Sequence, residues 1–144
     1  MKKILFSIAL LGWITSLAVH IAAATSATLF EEYPIVMGLH LGVFVVWIPM
    51  MLYLKRDEEY MHFQQSGLLR RSNPFKLFNI LLKNAPIYLK LIAVAGLIYA
   101  PINFIVPMAG PGMMNTARLF SGHWMAFYGI AMAVVYPFKK TVIL

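Results

Sequence analysis

Residues 34–54 read PIVMGLHLGVFVVWIPMMLYL, with Lys55 and Arg56 directly after them. The stretch has no charge. As a helix rising about 1.5 Å per residue, it spans the roughly 30 Å of a bilayer's hydrocarbon core. In lipid, only helices and closed barrels satisfy their own backbone groups, and a run this long is not a single strand. Three more apolar runs of similar length, 4–24, 86–108 and 119–138, repeat the pattern. The expected fold is all-α: an integral membrane four-helix bundle forming one domain over 1–144.

Composition points the same way. Of 144 residues, 61% are hydrophobic and 12% are charged, and the charged share is about half that of a soluble domain. Lipid is therefore the first expected partner. The net charge of +7 would raise nucleic acid in a soluble protein, but here topology explains it and no nucleic-acid partner is expected. Cysteine is absent, which excludes disulfides, thiolate metal sites, iron–sulfur clusters and a cysteine nucleophile. Glycine-rich phosphate loops, HExxH pairs and nucleophile elbows are also missing. All five acidic residues fall outside the apolar runs, so no paired-carboxylate chemistry is expected within them.

Orientation follows from the basic residues. Lys2 and Lys3 precede the first run. Lys55, Arg56, Arg70, Arg71, Lys76, Lys83 and Lys90 lie between or at the ends of the second and third, and Lys139 and Lys140 follow the fourth. Of the 12 Lys and Arg residues, Arg118 alone falls on the other side, with Glu31 and Glu32. Positive charge collects on cytoplasmic loops. Both termini and the loop 55–85 are therefore expected inside, as in a multi-pass protein of a bacterial inner membrane. The first run also has the outline of a signal peptide, ending at Ala22-Ala23-Ala24-Thr25-Ser26-Ala27. It is long for one, and Trp13 and His20 are unusual within one, so its retention as a helix is expected. Its cleavage would leave three helices in the same orientation.

In the loop, 55–65 is expected to prolong the second helix into water until Ser66-Gly67. Asn73-Pro74 has the form of a helix start, with Asn as N-cap and Pro in the first position. Phe75, Phe78, Leu81 and Leu82 share one face bordered by Lys76 and Lys83, as in a short amphipathic helix lying at the membrane interface. The alternative is a loop helix packed on the protein.

The candidate functional residues are His20, His40, His123 and Asn103. All fall roughly 6–9 Å inside the outer boundary at helical rise, and polar side chains at that depth usually face a bundle interior. In the second run, Met37, His40, Phe44, Trp47 and Met51 form one helical stripe. Gly38 and Gly42 form a GxxxG pair suited to contact with another membrane protein or a second copy. Gly122, Ala126, Gly129 and Ala133 form a small-residue stripe in the fourth run. Gly96, Tyr99 and Asn103 share a face in the third, where Pro101 is expected to introduce a kink.

Three roles suit the histidines. They could hold the helices in register by hydrogen bonds. His40 and His123, with His20 weaker, could ligate a b-type haem whose propionate pairs with Arg118. His40, His123 and Met37 could bind copper, since soft ligands favour Cu(I). The first functional expectation is an accessory subunit or assembly factor acting through other membrane proteins. The alternative is a haem- or copper-binding protein of electron transfer. The topology has a direct test: reporter fusions after Arg56 and after Leu144 should read cytoplasmic, and one after Phe30 should read outside. An outward C terminus would sink it.

Overall fold

Long uncharged runs without alternating polarity favour backbone hydrogen bonds within one segment. In the computed structural model, which describes residues 2–25, 29–65, 74–108 and 116–136, every regular element is accordingly a helix. They are α1 (Lys2–Ala22), the single turn α2 (Leu29–Glu32), a 3-10 turn (Pro34–Met37), α3 (Gly38–Leu54), α4 (Glu58–Gln65), α5 (Pro74–Leu81), α6 (Ile87–Met108) and α7 (Thr116–Val135). Among the described residues, three segments, Lys2–Ala22, Pro34–Leu54 and Ile87–Ile105, are long and apolar enough to cross a membrane. Their outer faces stay uncovered: Leu11 and Ile21 on α1, Leu41 and Ile48 on α3, and Leu91 and Ile105 on α6 are all exposed. In water such surface would be a large penalty.

α7 is built differently. It packs against α1, α3 and α6, and most of its residues are buried. Its small side chains explain the position. At Gly96 of α6, an added Cβ would lie 2.9 Å from the Cα of Ala126, so the two backbones approach as only small residues allow. At Gly129, a Cβ would press on Ile92 at 3.2 Å. The helix that carries Arg118, Ser121 and His123 is thus the one with the least outward surface.

Tyr128 of α7 fixes the other side. It is 2% exposed, and its hydroxyl donates to the Leu39 carbonyl of α3 at 2.8 Å. A Cβ on Gly12 of α1 would collide with the Tyr128 ring, and one on Gly42 of α3 with its hydroxyl. Gly42 therefore makes room for a tyrosine. Gly38, the other half of the GxxxG pair, has open space where its Cβ would be.

The loop differs in one respect from the expected continuous helix. α3 stops at Leu54, and the chain tightens through Arg56 N–H to Tyr53 O and Asp57 N–H to Leu54 O. Asp57 then caps α4, its carboxylate accepting Tyr60 N–H at 3.1 Å. The cap and the burial of Phe63 re-aim the segment. Lys83 reaches back to Asp57 at 3.0 Å and to Glu59 at 2.8 Å. Partial burial pushes the Asp57 carboxyl up, but the Lys83 hydrogen bond, the Tyr60 amide and the Lys83 charge together hold it below its ordinary value. The Glu59 hydrogen bond, then that of Asp57, raises Lys83. α5 begins at Pro74 as expected, while its Asn73 cap and the Ser66-Gly67 break lie outside the described residues. Leu82 beyond α5 is buried, and Phe78 and Leu81 pack on the core, so these three apolar side chains turn toward the protein. Lys76 is exposed.

The glycines separate by what they face. Gly12→Ala and Gly42→Ala should each destabilise the protein by about 1–3 kcal/mol through overpacking against Tyr128. Gly38→Ala should be neutral within about 0.5 kcal/mol. Unfolding in mixed micelles measures the three, and an equal cost at Gly38 and Gly42 would contradict this packing.

Candidate functional site: an aromatic pocket holding two histidines

α3 and α7 are joined by side chains that reach across the seam. Beside the Tyr128 bond, the Trp47 indole N–H donates to Phe127 O at 3.1 Å, and the Trp124 indole N–H donates to His40 Nδ1 at 3.1 Å. Beside this seam lies a pocket of about 390 Å³, lined by residues of α3 and α7 and by Phe104 of α6. That volume lies within the roughly 300–1,000 Å³ usual for small-molecule sites. Phe44, Phe104 and Phe127 on its walls are all partly exposed, so the pocket opens onto apolar surface.

The lining is mostly aromatic and packed edge to face. His40 meets Phe44 at 5.7 Å and Phe120 at 6.0 Å between ring centroids. Phe120 stacks on Trp124 at 6.0 Å, and Phe104 meets the His123 ring edge-on at 6.0 Å. His40 and His123 are the titratable side chains lining the pocket.

Their proton positions follow from their partners. An indole N–H can only donate, so His40 Nδ1 carries its lone pair and the neutral ring places its proton on Nε2. His123 is the reverse. Its Nδ1 lies 2.9 Å from the Leu119 carbonyl, which can only accept, so Nδ1 carries the proton and Nε2 keeps its lone pair. The pocket thus holds one imidazole donor and one imidazole acceptor, each with its Nε2 uncommitted within the protein.

His20 belongs to a separate network. Its Nδ1 lies 2.8 Å from Ser121 Oγ and its Nε2 2.6 Å from the Tyr99 hydroxyl. Ser121 Oγ also lies 3.1 Å from Arg118 O, and the Tyr99 hydroxyl lies 3.5 Å from Asn103 Oδ1, so each hydroxyl links the His20 ring to a further acceptor. Asn103 completes the set by donating to Arg118 O at 2.9 Å. Asn103 and Ser121 are fully buried, and the network joins α1, α6 and α7.

The sequence candidates therefore fall into two groups. His40 and His123 share a pocket, whereas His20 and Asn103 share a satisfied network elsewhere. Among the described residues, no three His, Asp or Glu side chains are gathered as a metal site. Met37 lies exposed on the 3-10 turn and does not line the pocket. Arg118 is exposed in the first turn of α7, where its carbonyl serves Asn103 and Ser121. The two pocket histidines differ as prospective ligands to haem or copper. A ligating ring normally donates its second N–H to an acceptor, and His40 instead faces an indole donor. His123 alone has the tautomer of a ligand. Sequence inspection missed Phe104, Phe120, Trp124 and Phe127 as pocket walls. The 4-3 spacing of Phe120, Trp124 and Phe127 beside His123 was the available signal.

His20→Ala removes two interhelical hydrogen bonds, each worth ~0.6 kcal/mol on average in membrane bundles, and should cost about 1–2 kcal/mol. His62→Ala, at an exposed position of α4, should change nothing measurable. Thermal unfolding in detergent compares them, and equal melting temperatures would refute a role for His20 in holding the helices. No protein-family model matches the chain, and neither curated proteins nor solved structures provide a match.

Proposed function

We propose that this chain is a small multi-pass membrane protein that takes a small apolar, ring-containing molecule from the bilayer into the pocket between α3, α6 and α7. On this reading all four long helices cross the membrane with both termini in the cytoplasm. The distribution of Lys and Arg supports that orientation, as does the packing of α7 among three helices apolar enough to span. The observation that carries the functional reading is the pocket itself, aromatic-walled and open to apolar surface, with two histidines as its polar groups. Sites for small molecules share this pattern of apolar walls with a few placed polar atoms.

A second reading is an accessory subunit or assembly factor, contacting another membrane protein or a second copy through Gly38. Its support is the open space beside Gly38, in an α1–α3 groove of about 430 Å³ that Leu11, Gly12 and Thr15 also line. Small residues in such a groove let a neighbouring helix approach closely.

The pocket reading is tested with bromobenzene, whose bromine quenches nearby tryptophans, and the pocket is lined by Trp47 and Trp124. Added to the full chain in phosphatidylcholine nanodiscs, it should quench saturably. Val43→Phe, which fills the pocket from α3, should weaken that binding about tenfold, equivalent to about 1.4 kcal/mol. Linear, unsaturable quenching that is identical in both proteins would refute a pocket ligand.

A further inference from the structure

The two pocket histidines are set in opposite tautomers by residues that cannot themselves change role. Trp124 has no acceptor to offer, and Leu119 O has no proton to give. Among the described residues, neither Nε2 has a hydrogen-bond partner. The pocket lining thus includes one imidazole N–H that can meet an oxygen lone pair and one imidazole lone pair that can meet an O–H.

Resting on the pocket reading above, we infer that the ligand is a phenolic or quinol-type ring: an aromatic molecule, soluble in the bilayer, whose hydroxyl donates to His123 Nε2 and whose oxygen accepts from His40 Nε2–H. A purely aliphatic chain would leave both imidazole atoms unpaired against apolar surface, a penalty that an oxygen-bearing ring removes. A ring without a hydroxyl could satisfy His40 only. An anion would bring charge into an aromatic-walled pocket without a countercharge, since its lining includes no Lys or Arg. The face of a phenolic ring suits the edge-to-face packing that Phe44, Phe104 and Phe120 already use with the two histidines.

Three probes of nearly one shape separate the contributions. Bromobenzene offers neither hydrogen bond, 4-bromoanisole can only accept, and 4-bromophenol can donate and accept. Each is titrated into the full chain in phosphatidylcholine nanodiscs, at matched concentration in the lipid phase, with tryptophan quenching as the readout. Affinity should rise from bromobenzene to 4-bromoanisole to 4-bromophenol by about fivefold at each step, the factor of one net hydrogen bond. His123→Phe should abolish the preference for 4-bromophenol over 4-bromoanisole, and His40→Phe the preference for 4-bromoanisole over bromobenzene. Bromobenzene binding retained in both variants shows that the pocket persists. Equal, saturable affinities for all three probes in the unsubstituted protein would overturn the phenolic assignment and leave the pocket reading standing. Absence of saturable binding by any probe would overturn both. Should either variant fail to fold, the ranking of the three probes on the unsubstituted protein decides alone.

Discussion

The seating of Tyr128 between α1 and α3 is the contact on which the arrangement of the long helices depends. A ring buried to 2% exposure needs space from both neighbours, and Gly12 and Gly42 supply it. Its hydroxyl needs an acceptor, and Leu39 O near the start of α3 provides one through its second lone pair. One residue of α7 thereby sets the spacing of α1 and α3 at once. Trp124 and Trp47 extend the same seam along α3. Trp47 and Trp124 also line the aromatic pocket, so its shape follows from how these side chains hold α3 against α7.

The polar side chains divide by a related logic. Between α1, α6 and α7, where packing is close enough for backbone contact at Gly96, His20 finds partners on both ring nitrogens and its network is closed. Between α3 and α7, where bulky rings hold the helices apart, His40 and His123 each find one partner and keep one nitrogen. Close packing consumes hydrogen-bonding capacity, and looser aromatic packing preserves it. The difference between a structural histidine and one available to a ligand therefore arises from the size of the neighbours.

Much of the helical framework was legible in the sequence, because run length and lack of charge determine which segments cannot remain in water. The small-residue stripe of the last long helix also pointed to close packing, and Gly96, Tyr99 and Asn103 do share the face turned to α7. The rotation of the most apolar helices was not legible. α3 has hydrophobic side chains all round, so periodicity could not say that Met51 faces outward or that Gly38 faces open space. The grouping of the histidines was lost for the same reason: equal depth places residues at one level but not on one side. The cap at Asp57 was hidden by its charged neighbours, which read as a solvated continuation of α3.

The central position of α7 also bears on how such a chain is made. The residues that let it pack inside, with Arg118, Ser121 and His123 among many glycines and alanines, make it the least hydrophobic of the four long helices and the poorest candidate for entering lipid unaided. It also follows α1, α3 and α6 in the chain. On the four-span reading, its partners are already in place when it is synthesised, and the slot they form offers acceptors and tight contacts that lipid cannot. Insertion of this helix then becomes an assembly step, and a substitution that misplaces any of the first three helices would appear as a failure of the fourth to integrate.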